Sequence, residues 1–173
     1  VHPAHVYTDN SKEFEKCFTE LHVLCDTSTP YRPETNGVAE RAVRKTKEGT
    51  SCALVQSGLS VEWWVEAQMC FNFIWNVTQL VKQYGKSPYH LRFKRPFKGP
   101  VWAFGCEVHF KPVAPNDKQF LHKFGPNTLP GIFVGYTQYE NGGDWKNSEL
   151  LIILKHDLEN KTTAQEVHIR RIP

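Results

Sequence analysis

Apolar positions recur along the first eighty residues with two different periods, and each period predicts an element. His5-Val6-Tyr7-Thr8 reads as a short strand ending at Asp9. Phe14, Cys17, Phe18 and Leu21 then fall at i, i+3, i+4 and i+7, one face of a helix from Lys12 to about Leu21 with Asn10 or Ser11 at its cap. His22 to Cys25 is a second short strand. Ser28-Thr29-Pro30-Tyr31-Arg32-Pro33-Glu34-Thr35-Asn36-Gly37 has two prolines, an Asn-Gly and no period, so it is a loop. A long helix runs from near Val38 to about Ser57, where Gly58 stops it. The next helix, Val61 to about Val81, is apolar nearly all round, which predicts burial of Trp64, Met69, Phe71, Phe73 and Trp75 on more than one side. Gly85-Lys86-Ser87-Pro88 opens a short helical turn through Phe93.

After Pro100 the pattern changes. Val101–Phe104, Glu107–Phe110, Gly131–Tyr136, Leu150–Leu154 and Ala164–Ile169 read as short strands separated by turns such as Asn141-Gly142-Gly143-Asp144. Such spacing predicts a small sheet or a partly closed barrel. The expected organisation is therefore α/β over residues 1–97 and a small β-rich region over 98–173, with the change near 95–100.

Composition narrows the class. The 173 residues allow one ordinary domain, or one with a small appendage. Hydrophobic residues at 40% and aromatics at 13% are enough for a packed core and exclude a disordered chain. No apolar run approaches the roughly 18 residues of a membrane helix, so no membrane partner is expected. The chain opens VHPAH, without an initiator Met or a signal-peptide pattern, which points to a fragment or processed piece.

The net charge of +3 decides nothing, but its distribution does. Residues 81–125 carry nine Lys/Arg against two Asp/Glu, a net +7 that marks a candidate footprint for a polyanion. Five cysteines, Cys17, Cys25, Cys52, Cys70 and Cys106, are odd in number and never at CxxC spacing, so reduced and mostly buried thiols are expected. His2 and His5 form an HxxH with no cysteine pair beside it, which reads as a terminus and not a zinc site.

Two carboxylates stand where chemistry is possible. Asp9 ends one strand and precedes a helix, a place where ligands gather in open α/β sheets and where a carboxylate can also simply cap the helix. Glu40 lies in the first turn of its helix, where it can hold a cation or merely complement the helix dipole. Arg44 and Lys47 follow at i+4 and i+7 on the same face. Carboxylates that hold cations beside residues that hold phosphates are what metal-assisted phosphoryl transfer on DNA needs.

Taken together, Thr8-Asp9-Asn10-Ser11-Lys12-Glu13-Phe14 and Ser28-Thr29-Pro30-Tyr31-Arg32-Pro33-Glu34-Thr35-Asn36-Gly37-Val38-Ala39-Glu40-Arg41 resemble the catalytic core of retroviral-type integrases, most nearly those of copia-type retrotransposons. Gly85-Lys86-Ser87-Pro88-Tyr89, Phe104-Gly105-Cys106 and Lys123-Phe124-Gly125-Pro126 with Gly131–Tyr136 resemble later parts of the same proteins. The resemblance implies a ribonuclease H-like core, here its C-terminal part, within a Pol-type polyprotein of a transposable element. It implies a D,D,E triad holding two Mg²⁺ or Mn²⁺ ions for DNA integration, in which Asp9 is the second aspartate and Glu40 the glutamate. Asn10, Asn36 and Gly37 match supporting positions. DNA partners, self-association and nuclear action are implied likewise. Arg32, Arg44, Lys47, Lys86, Arg92, Lys94 and Arg95 are the candidate DNA contacts.

Three departures qualify the match. Only eight residues precede Asp9 and none is acidic, so the first aspartate of the triad is not in this sequence. Residues 10–39 separate Asp9 from Glu40, fewer than the family's interval of about 35, with the shortfall near Leu21–Asp26 where a core strand belongs. Ser11 stands where the family carries Gly, which would be strained if that position needed a positive φ. Negligible strand transfer by this chain alone is expected. The alternatives are a non-catalytic DNA-binding remnant and, furthest from the motif, an interaction domain with no nucleic-acid partner.

Overall fold

The computed structural model describes residues 4–8, 11–28, 37–140, 143–160 and 164–173. Asp9, Asn10, Arg32, Asn36, Asn141 and Gly142 lie outside the described residues. The chain divides into two compact units, Val1–Lys45 and Thr46–Pro173, and is mixed α/β.

The first unit holds strand β1 (His5–Thr8), helix α1 (Lys12–Glu20), strand β2 (Leu24–Thr27) and the start of helix α2 (Gly37–Ser57). β1 and β2 pair in parallel, which requires a crossover, and α1 supplies it. The stripe of Phe14, Cys17, Phe18 and Leu21 is present, with the Phe14 and Phe18 rings 6.3 Å apart, yet no described residue of this unit is buried. The second strand starts two residues later than the sequence suggests. His22 takes φ 53, its N–H reaches Thr19 O at 3.1 Å, and Val23 N–H reaches Phe18 O at 2.9 Å. This Schellman closure of α1 uses His22 and Val23, so extension begins at Leu24. The strand near Leu21–Asp26 is thus present despite the short interval. Ser11 sits at φ −73, so it is not strained, and its hydroxyl donates to Glu13 at 2.6 Å instead of capping the backbone.

α2 ends as its glycine dictates: Gly58 takes φ +69 and its N–H bonds Leu54 O at 3.2 Å. The second unit continues with a 3₁₀ turn, Val61–Trp63, and helix α3, Trp64–Thr78. α3 stops three residues before Val81 because Gln79 is extended and Val81 bridges Lys86. Full burial is confined to one face of it, while a second face meets α2, where the Phe71 ring lies against Gly49 and Asn72 Oδ1 accepts from the Thr46 hydroxyl. Trp63, Ala67, Cys70 and Phe73 are buried at helical spacing, whereas Trp64 (55%) and Met69 (51%) are exposed and Phe71 and Trp75 are intermediate.

Helix α4 (Pro88–Phe93) leads to strand β3 (Glu107–Phe110), helix α5 (Pro115–Lys118), strands β4 (Leu129–Gln138) and β5 (Trp145–Leu154), helix α6 (Lys155–Asn160) and strand β6 (Ile169–Ile172). The strands form one antiparallel sheet in the order β3-β4-β5-β6. α3 lies on β4, where the Phe73 and Tyr136 rings stack at 4.4 Å. Two expected strands are absent. Residues 101–104 are irregular, and Ala164–Glu166 is a 3₁₀ turn, with the strand following at Ile169–Ile172. That strand was hidden because its buried position is an arginine, Arg170.

The irregular stretch is held by one phenol. Tyr136 OH donates to Pro100 O at 2.9 Å and accepts from Trp102 N–H at 3.2 Å, and burial pushes that phenol up to about 12. Tyr136→Phe is expected to lose about 1–3 kcal/mol by stranding both partners. A urea midpoint equal to the parent's would refute it.

Candidate functional site

The first unit sets Thr8, which precedes the motif aspartate, beside Ser28, where the motif loop begins. The register His5↔Leu24 through Thr8↔Thr27 leaves β1 and β2 ending level. Ser28 N–H extends the ladder to Thr8 O at 2.9 Å. The motif aspartate follows Thr8 in sequence, and the motif loop follows Ser28. Both therefore depart from the carboxyl edge of a parallel pair, where ligands collect in open α/β sheets. Gly37 is the first residue of α2, and Glu40 sits exposed in its first turn. Arg44 is exposed one turn on, and Glu40 and Arg44 form no ion pair with a described residue. Lys47, later in the same helix, is also exposed.

Four of the candidate DNA contacts gather around α4 in the second unit. Lys86 precedes the helix, whose N-cap Ser87 accepts from His90 N–H at 3.2 Å. Arg92 lies 5.5 Å from the centre of the Phe93 ring, and Lys94 closes the helix at φ 56. Lys86, Arg92 and Lys94 are exposed. Arg95 is committed elsewhere. Its Nη2 donates to both oxygens of Asp144, at 2.7 and 2.9 Å. Tyr89 OH and Trp145 N–H donate to the same carboxylate. Burial would raise Asp144, but the bonds from Tyr89 and Arg95 outweigh it and hold the carboxyl below the usual aspartate value. The network's stability is therefore present above the unfolded aspartate pKa and is lost as pH falls through the lower folded one.

Sequence reasoning missed a buried ion triad. Arg170 Nε and Nη2 donate to the two oxygens of Asp117 at 2.8 and 2.7 Å, and Nη1 donates to Asp157 at 2.9 Å and to His168 O at 3.0 Å. The partners lie 53 and 13 residues away, so no local spacing announces them. The thiols also differ from expectation. Cys70 is buried, and burial pushes it up to about 12, but Cys17 and Cys52 are exposed. His5, half of the HxxH, pairs with Asp26 at 2.9 Å. No helix among the described residues is long and apolar enough to cross a membrane.

No protein-family model matches the chain. Among solved structures it is similar to a chain in the cryo-electron microscopy structure of the simian T-cell lymphotropic virus intasome in complex with PP2A regulatory subunit B56 gamma, at 18% identity and TM-score 0.44. The alignment covers 99% of this chain and 56% of that one, so this chain spans little more than half the length of its neighbour. That likeness assigns neither a fold nor an activity.

Proposed function

We propose that the chain is part of an integrase of a copia-type retrotransposon, with its first unit belonging to a ribonuclease H-like core that acts on DNA phosphodiesters. What supports this reading is the level carboxyl edge of β1 and β2, from which both motif segments leave. Asp9 and Glu40 are the acidic pair of this reading, and Asn10, Asn36 and Gly37 are its supporting positions. Arg44, Lys47, Lys86, Arg92 and Lys94 supply phosphate contacts without base specificity, and Arg32 reaches DNA from the motif loop. A DNA substrate implies nuclear action, and self-association accompanies it.

Mg²⁺ or Mn²⁺ is the cation of this reading, since hard carboxylate oxygens are its usual ligands. Asp9 and Glu40 would hold the cation, and Asp9 lies outside the described residues. The chain alone is expected to bind DNA without joining it. The second reading is a non-catalytic DNA-binding remnant.

Gel shifts and labelled element-end DNA with Mn²⁺ test both. Binding should weaken with salt, and the charge reversals Lys86→Glu, Arg92→Glu and Lys94→Glu should each reduce the log–log salt slope by about 0.9. Absence of a shift at low salt would refute a DNA partner. Robust end processing that disappears in Asp9→Asn would refute the expected inactivity, and binding untouched by Asp9→Ala favours the remnant.

A further inference from the structure

We infer that the second unit takes up an extended peptide of alternating acidic and apolar residues as an added strand along the outer edge of β3. The sheet order leaves β3 and β6 at its two edges, and among the described residues no strand pairs with the outer side of either. A cavity of about 570 Å³ is lined by Val108, His109 and Phe110, three consecutive residues of β3, and also by Ile172 of β6. Successive side chains of a strand point to opposite faces. Three in a row therefore line one cavity only where it runs along the strand's backbone edge. A second cavity of about 620 Å³ takes in Arg170, Arg171 and Ile172, and by the same logic it follows the edge of β6. The two cavities share Val113 and Ile172. Both free edges therefore border adjoining cavities.

The walls define the occupant. In the cavity beside β3 the floor is apolar, with Val108, Phe110, Ile152 and Ile172, and the rim is basic, with His109, Lys111 and Lys118. No acidic side chain lines it. In the adjoining cavity Asp117 and Asp157 are already engaged by Arg170, and Arg171 adds a further cation. A segment laid along β3 would point alternate side chains to the floor and to the rim. Apolar residues match the first and carboxylates the second. Strand addition supplies the backbone bonds, and the pockets for alternate side chains supply the choice of sequence. Lys111 and Lys118 are exposed, so reversing their charge leaves the packed sheet intact.

Fluorescence anisotropy on the full chain tests the inference with labelled ten-residue peptides. A Val/Glu alternating peptide should bind saturably and at least about tenfold more tightly than a Val/Lys one. Lys111→Glu with Lys118→Glu should invert that order. N-methylation of alternate peptide amides, which leaves the protein untouched, should abolish binding if the peptide adds as a strand. Absence of binding, equal affinity for the Val/Lys peptide or undiminished binding of the N-methylated peptide would each overturn it. So would displacement by single-stranded DNA that itself binds more tightly and loses affinity in the same double variant, or dimerisation of the chain blocked by that variant.

Discussion

Replacing Arg170 with methionine is expected to remove about 3–5 kcal/mol of stability, the range for deleting one partner of a buried charge cluster. Arg170 is 9% exposed, and its two aspartate partners, Asp117 and Asp157, are also buried. The guanidinium satisfies both oxygens of Asp117 in a fork and one oxygen of Asp157, and thereby ties α5 and α6 to β6. Methionine keeps most of the volume but leaves two carboxylates in a poorly solvated place with no counter-charge. Arg170→Lys should fall between, since an ammonium keeps the charge without the fork. Replacing all three residues by apolar ones should recover much of the loss, because a buried cluster is often no more stable than well-packed hydrocarbon. Urea unfolding at pH 7 measures each case. A loss below about 1 kcal/mol for Arg170→Met would place the triad among ion pairs that contribute little.

That triad also marks where sequence reading stops. Local signals were legible: the 3–4 spacing of Phe14, Cys17, Phe18 and Leu21 gave α1, and Gly58 gave the end of α2. β4 and β5 were legible as apolar runs, though each extends beyond its run. Failures came where a distant partner overrode the local pattern. Ile169–Ile172 has two central arginines and looks like surface, until Asp117 and Asp157 make burial of one of them tolerable. Val101–Phe104 looks like a strand, until the Tyr136 hydroxyl claims the Trp102 amide that a ladder would need. α3 looked buried all round because Trp64 and Met69 carry no sign of which side the sheet takes. The site divides the same way. Its motif is linear and readable, but the level ends of β1 and β2 belong to register, which no spacing encodes. Arg95 looked like a free cation because Asp144 is 49 residues away.

Gly105→Ala is expected to destabilise the second unit by about 2–5 kcal/mol, from two independent costs. The first is conformational. Gly105 takes φ +80, where a Cβ crowds the following carbonyl at about 1–2 kcal/mol. The second is steric. A Cβ there would stand 2.1 Å from the Ser57 Cβ and 2.9 Å from the Ser57 Cα, and the latter is backbone at the end of α2 that cannot rotate away. Neither chain can retreat cheaply. Gly105 N–H is bonded to Phe133 O at 2.8 Å, and Phe133 N–H returns to Cys106 O at 2.9 Å, which fixes this turn to β4. On the other side, Ser57 Oγ donates to Leu54 O at 2.8 Å and accepts from Leu59 N–H at 3.1 Å. The costs can be separated. Ser57→Gly should rescue part of Gly105→Ala by removing the 2.1 Å encounter, and should leave the φ penalty in place. Introducing D-alanine at position 105 by chemical ligation should relieve both costs, since a D residue accepts positive φ and its Cβ takes the place of the glycine's other α-hydrogen. If Ser57→Gly gives no rescue, the close approach to α2 contributes nothing and the backbone conformation alone explains the glycine.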